Sequence, residues 1–379
     1  MVLSARPLGV ICATKRNHTS GEIREISMAS RHKVVLVGIG RMGRNHFRVL
    51  SDNPRIELVA VIDPSTVRPD VRASIPDHIK TFADLEVLAS LDFEGLVVAT
   101  PTQTHYEVVK KLLPLKRPIL VEKPICSTEE QGLELMRLAD SLGTPLVVGH
   151  VERHNPAIKK LREVVASGIV GTPIHCSVTR VGGYPENVQQ GNNVLLDLAV
   201  HDLDVLQMIF GQFEYQSSIV HSTVKEGIYD TAQIVGMCEG GVSADIHVNW
   251  ITPTKIRAIR LTGTLGVCFA DYMLQTCTMM GGNLLKKEQD AYYSYQELIE
   301  LYRGSDKIEF GVTHQEPLRA QLEQYINVLQ GKPHTLCSAK DASRVVRLAE
   351  QSLEQARKMI VARTPVNSDL RVVKRAVGA

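Results

Sequence analysis

Between Lys33 and Gly149, short unbroken apolar runs alternate with stretches of helical spacing. Val34–Val37, Leu58–Ile62, Leu96–Ala99, Ile119–Val121 and Leu146–Val148 read as buried parallel strands, because a strand covered on both faces has no polar side to show. Helices fit over Thr102–Leu113 and Thr128–Leu142, the second with Ser127 as N-cap and Gly143 as its stop. This alternation predicts a doubly wound parallel sheet over residues 31–150. Beyond Gly149 the pattern changes. His150–Ser167 reads as one helical segment broken near its start by Pro156. The runs Ile174–Val181, Ala232–Cys238, Gly241–Trp250 and Ile256–Thr262 predict an open, largely antiparallel sheet, interrupted by a helix over Leu195–Ile209. Leu318, Leu322, Tyr325, Ile326 and Leu329 recur at helical spacing before Gly331, and a last amphipathic helix runs from about Lys340 to Val361 behind Ser338 as N-cap. The chain is thus α/β throughout, with a second α/β domain over residues 151–379.

The turn after the first strand is Gly38-Ile39-Gly40-Arg41-Met42-Gly43, and it opens a helix. Asp63 ends the second strand, 20 positions after Gly43. Gly-x-Gly-x-x-Gly alone is a weak signal; between a strand and a helix, with an acid at that distance, it is the dinucleotide fingerprint of a Rossmann domain. Gly38 permits the tight turn, Gly40 lets the backbone approach a pyrophosphate, and Gly43 allows close helix–strand packing. Free N–H groups of the helix N-terminus, over Ile39, Arg41 and Met42, would face the phosphates. Asp63 can accept from ribose hydroxyls and would repel a 2′-phosphate. No Arg or Lys follows it before Arg68, so NAD is expected rather than NADP. A flavin site or a plain glycine turn is the bland alternative.

Composition excludes several classes. A net charge of +2 gives no electrostatic reason to expect nucleic acid or a membrane surface as partner. No apolar run reaches the roughly 18 residues needed to span a bilayer. The seven cysteines are scattered without a Cys-x-x-Cys pair, which favours a reducing cytoplasm over a disulfide framework. Residues 1–30 read as a disordered extension, with Met28 as a natural start after residues 1–27. The apolar run Leu8–Ala13 is shorter than a signal peptide's and follows Pro7. His150 and His154 are four apart, but Glu152 is misplaced for His-Glu-x-x-His and Pro156 follows, so no metal is expected.

Ligands of doubly wound sheets bind beyond the carboxyl ends of the strands. Two segments fall there: Thr100-Pro101-Thr102 with His105, and Glu122-Lys123-Pro124. Lys123 is either held near the nicotinamide or a surface-loop lysine. In a third segment, Asn192–Asp204, Asp197 and His201 lie at i and i+4 if helical, so that a carboxylate and an imidazole could share one substrate hydroxyl. The bland reading is a capping aspartate and a core histidine.

Together, the glycine turn with His46, then Asp63, Glu122-Lys123-Pro124 and Asp197-x-x-x-His201 resemble the Gfo/Idh/MocA oxidoreductases over about residues 32–330. The resemblance implies an NAD-dependent dehydrogenase with Lys123, Asp197 and His201 catalytic. His201 would be the base, Lys123 the group on the reacting oxygen, and Asp197 the orienting carboxylate. Asn192-Asn193 departs from the family's frequent Gly-Gly pair. The segments Gly149–Pro156, Leu196–Asp204 and Asn249–Arg257 resemble the branch of UDP-N-acetylglucosamine 3-dehydrogenases and inositol 2-dehydrogenases. The first is favoured because Arg153, Arg180, Lys255 and Arg257, with Asn155, would serve a diphosphate that inositol lacks. The 3-keto product would pass to an aminotransferase, feeding a 3-amino sugar to lipid A or another surface glycan. The open sheet predicts a homo-oligomer. A non-catalytic NAD-binding regulator is the alternative of another class; it would be expected to lack Lys123 or His201.

Overall fold

The computed structural model describes residues 31–186, 188, 193–281 and 307–359. The extension 1–30, Asn192 and the end of the last helix beyond 359 lie outside them.

The first half builds β1 (His32–Val37), α1 (Arg41–Ser51), β2 (Ile56–Ile62), α2 (Pro69–Ala73), β3 (Lys80–Phe82), β4 (Gly95–Val98), α3 (Thr102–Leu112), β5 (Ile119–Glu122), α4 (Glu129–Leu142) and β6 (Leu146–Gly149). The second half builds α5 (Pro156–Ser167), β7 (Pro173–Val181), α6 (Val200–Phe210), β8 (Phe213–His221), β9 (Thr231–Cys238), β10 (Val242–Asn249), β11 (Ile256–Gly263), β12 (Gly266–Asp271), β13 (Thr276–Gly281), β14 (Lys307–Phe310), α7 (Pro317–Leu329), β15 (Cys337–Ser338) and α8 (Ala339–Met359).

The first sheet runs β15-β6-β5-β4-β1-β2-β3 and is parallel but for β15, which joins β6 antiparallel. Its order reverses between β1 and β4, which places the binding crevice beyond their carboxyl ends. The second sheet, β14-β13-β12-β11-β7-β10-β9-β8, is antiparallel except for the β7–β10 pair. One face of it carries a core shared with α5, α6 and α8. Across the other face run Val235, Asp245, Ser177, Arg260 and Phe269 in register.

Two late elements return to the first sheet. Tyr325 of α7 sets its hydroxyl 2.9 Å from the Leu96 carbonyl and 2.8 Å from that of Pro118. A side chain on Gly95 would strike that hydroxyl, so the missing Cβ is what lets α7 dock. The 31–150 segment therefore carries α7 and β15 as well, a long-range return that periodicity cannot express.

Local chemistry moves several boundaries. Helix α4 is capped by Thr128, whose hydroxyl accepts from the Gln131 N–H at 3.3 Å, and not by Ser127. The segment His150–Ser167 is two elements. Val151–His154 is a 3₁₀ turn, and Asn155 then caps α5 with Pro156 in its first turn, because a residue before proline is pushed out of the α region. Ser338 does cap α8, accepting from the Asp341 N–H at 3.1 Å. Strands β8, β12, β13 and β14 were not legible individually; β8 is largely polar and bulged between Tyr215 and Ser217, and β14 is an exposed edge.

Candidate active site

The glycine turn is shaped as its sequence demands. Gly38 has φ +97°, and a Cβ there would lie 2.6 Å from the Ala99 carbonyl oxygen. A Cβ on Gly43 would lie 2.2 Å from the Gly38 oxygen, whereas one on Gly40 would meet nothing within 4 Å. Gly40 and Arg41 are exposed, Met42 is half-buried and Ile39 buried. This is a cradle that a side chain on Gly40 would fill. Asp63 accepts the Ile39 N–H on one carboxylate oxygen and the Ser65 N–H on the other, both at 2.8 Å. Each oxygen keeps a further lone pair for a ribose hydroxyl. The residues fit a dinucleotide.

Thr100 and Thr102 are half-buried and Pro101 exposed at the start of α3. His105 is not on the cleft surface: its ring is buried, with Nδ1 2.9 Å from the Pro124 carbonyl and Nε2 2.9 Å from that of Thr100. Burial lowers its pKa, so the neutral ring sits between the two loops and donates to one of these carbonyls. Glu122 is buried and bonded within the same region. Its buried carboxylate lies 2.6 Å from His46 Nε2 and accepts the Lys123 N–H at 3.2 Å. Burial alone would raise the Glu122 pKa, but the His46 bond and the nearby positive charges hold it below its ordinary value.

The catalytic candidates meet across the two halves of the chain. Lys123 Nζ donates to the Asp197 backbone carbonyl at 2.7 Å and reaches its Oδ1 at 3.3 Å. The other carboxylate oxygen accepts from Trp250 Nε1 at 3.2 Å, and Tyr184 packs edge-on to the Trp250 indole. The expected helix over this segment opens as a π turn, Leu195–Ala199, before α6; the Val200 N–H bonds the Leu195 carbonyl, five residues back. Asn193 caps this turn through Leu196 N–H at 2.9 Å. The widened turn sets the Asp197 carbonyl within reach of the ammonium. His201 follows on α6 with Nδ1 buried and without a hydrogen-bond partner among the described residues. Its pKa falls well below the ordinary value, through burial first and then the positive charges of Lys123, Arg180 and Arg257, so the ring is a neutral proton acceptor.

The expected substrate cations divide into two kinds. Arg180 is buried, with two bonds to Asp202 (2.7 and 3.0 Å), one to Glu152 (2.9 Å), and the Tyr272 ring beneath its guanidinium. Arg153 grips Asp204 with two bonds of 2.8 and 2.7 Å. Asn155 is spent on the α5 cap, on Glu152 and on the Tyr272 carbonyl. These three are engaged by partners within the second half of the chain. Arg257, beside Arg180 in register, has only a 3.7 Å approach to Glu152, and Lys255 is exposed. Sequence reasoning left Trp250, Glu152 and Asp202 without a role. Their only signal was position in segments that also carry candidate residues.

Among the described residues, one group of side chains has metal-ligand character: His150, Asp204 and Cys337, all buried. Asp204 already gives both oxygens to Arg153, and a cation there would face that guanidinium. No helix of the described residues is long and apolar enough to cross a membrane.

Comparison with known proteins shows the family and the fold. Residues 32–150 match the model of the oxidoreductase family with an NAD-binding Rossmann fold, and residues 158–268 match the GFO/IDH/MocA C-terminal domain. The uncharacterised oxidoreductase YrbE of Bacillus subtilis is 25% identical over 84% of this chain and 93% of its own length. An inositol 2-dehydrogenase of Mycolicibacterium smegmatis is 28% identical over 62% of this chain and 72% of its own. Among solved structures, UDP-N-acetylglucosamine 3-dehydrogenase GnnA from Acidithiobacillus ferrooxidans superposes with a TM-score of 0.73 at 20% identity, covering 87% of this chain and 99% of that one; at this identity the likeness is one of fold.

Proposed function

The chain belongs to the Gfo/Idh/MocA family of NAD-dependent oxidoreductases, and on that premise we propose that it oxidises a sugar-nucleotide hydroxyl, UDP-N-acetylglucosamine to its 3-keto derivative being the reading best supported. The observation that carries the chemistry is the Lys123–Asp197 contact formed beside His201 at the carboxyl end of the first sheet. The glycine turn and Asp63 hold NAD, which supplies the hydride acceptor when bound. His201, neutral and short of a partner, takes the hydroxyl proton. Lys123 places its ammonium on the reacting oxygen and stabilises the charge that develops there. Asp197, held by Trp250 and Lys123, orients the hydroxyl. A non-catalytic regulator would have no use for this assembly.

The substrate reading rests on Arg257 and Lys255, since Arg153 and Arg180 are satisfied internally. Arg257 retains donors for a diphosphate that inositol lacks. Incubation with NAD and either UDP-N-acetylglucosamine or myo-inositol, following absorbance of the reduced cofactor, decides the matter. Reduction with the nucleotide sugar alone supports the reading; with inositol alone it replaces the substrate, and with neither it removes both. The 3-keto product fits a following aminotransferase in amino-sugar synthesis for lipid A or a surface glycan. Ile219, Val235 and Phe269, exposed on the open sheet face, suit a second copy of the chain, giving a homo-oligomer measurable by light scattering. Six described cysteines are free and buried, in keeping with a cytoplasmic setting.

A further inference from the structure

Behind the catalytic cluster lies a second, wholly buried polar one. His150 follows β6, the neighbour of β5, which ends in Glu122 just before Lys123. Both of its ring nitrogens are buried and find no hydrogen-bond partner among the described residues. Its Nδ1 stops 3.8 Å from Asp204 Oδ2, beyond hydrogen-bond reach. Asp204 lies three residues after His201 on α6, so the two share one helix face. The side-chain nitrogen and oxygen of Gln321 on α7, against Gly149, also find no partner among the described residues. Orphans gathered in one polar place call for ordered water as their partner. The groups around His150 are His201 and Asp204 from α6, Glu122 from the end of β5 with Lys123 after it, Arg153 from the 3₁₀ turn, Cys337 from β15 and Gln321 from α7.

We propose that His150, backed by the Asp204 carboxylate, is a buried positioning residue that relays through water the proton His201 withdraws from the substrate hydroxyl. The inference rests on His201 being the base. In the oxidation, the C–H bond breaks with its electron pair going to the oxidised cofactor. The O–H bond breaks with its proton going to His201, and the carbonyl forms. His201 sits among Lys123, Arg180 and Arg257, where a positive charge is disfavoured. Losing its Nδ1 proton through water to His150 moves that charge beside Asp204, whose carboxylate opposes the burial and the Arg153 and Lys123 charges that lower the His150 pKa. The proton returns by the same route to cleft water once the ketone has left. In reduction every step reverses.

The test uses the NAD-bound full chain as wild type, His150→Phe and His150→Gln. At neutral pH, kcat should fall about 10–100-fold in both variants with KM nearly unchanged, and the deficit should shrink at alkaline pH, where solvent base replaces the relay. A lowered Tm with an unaltered pH profile in both variants would make His150 structural only and overturn the relay. A second readout needs no turnover. In ¹⁵N-histidine spectra, His201→Ala should change the tautomer balance or titration of the His150 ring; identical His150 signals would overturn the proposal. If no alcohol is oxidised but those signals respond, the substrate reading fails while the linkage stands. Stoichiometric zinc removed by His150→Gln would also overturn it, assigning the cluster to a metal.

Discussion

The glycine turn over β1 is built from backbone, whereas the catalytic cluster is built from side chains brought together from residues 74 apart in sequence. In the first region each glycine acts within a few residues of itself or on the adjacent strand, so a short motif suffices to specify it. In the second, Lys123 meets Asp197 only because the two halves of the chain pack on one another, and the fate of each cation depends on which acid folds against it. A local site tolerates distant change; an assembled one depends on the whole fold.

Substitutions can break this contrast at several strengths. Lys123→Ala and His201→Ala should each cost about 10²–10⁴-fold in kcat while NAD affinity, measured by fluorescence or calorimetry, stays close to wild type. Loss of NAD binding in both would mean that the two regions are not separable. Next in size, Arg180→Ala leaves Asp202 and Glu152 as uncompensated buried charges and should destabilise the fold by about 3–5 kcal/mol in urea denaturation. Arg257→Ala, a half-exposed neighbour on the same sheet face, should leave stability almost intact and raise KM for a nucleotide sugar, though not for inositol. Equal stability losses from the two would erase the distinction drawn between them.

On the cofactor side, Gly40→Val should leave Tm unchanged because its side chain would enter open space, yet weaken NAD binding by about tenfold or more, ~1.4 kcal/mol. The last effect is on pH dependence, and its part between neutral and mildly acidic pH is small. His154 is buried, and burial pushes its pKa down to about 3, against about 6.5 in an unfolded chain. Between these values the unfolded state binds the extra proton. Stability is therefore full above about pH 6.5 and falls by about 1.4 kcal/mol per unit as the pH drops toward 3. His154→Phe should flatten that decline in denaturation curves between neutral and mildly acidic pH; an unchanged slope would show that His154 is not buried neutral.

Much of this molecule was legible without coordinates. The five central strands of the first sheet, the turn at Gly38–Gly43 and the place of Asp63 at the end of the second strand follow from periodicity, glycine stereochemistry and the order of chemical groups along the chain. These are local or short-range constraints, and the sequence states them directly. It could not tell Arg180 from Arg257, since adjacent strands and alternating faces make both look like exposed cations until Asp202 and Glu152 are seen beneath one of them. Nor could it show that His105 and Glu122 brace the site, that α7 and β15 return to the first sheet, or that His150 stands unpartnered behind His201. Those outcomes belong to tertiary structure, because burial and pairing are properties of the space between elements, and that space exists only once the chain has closed.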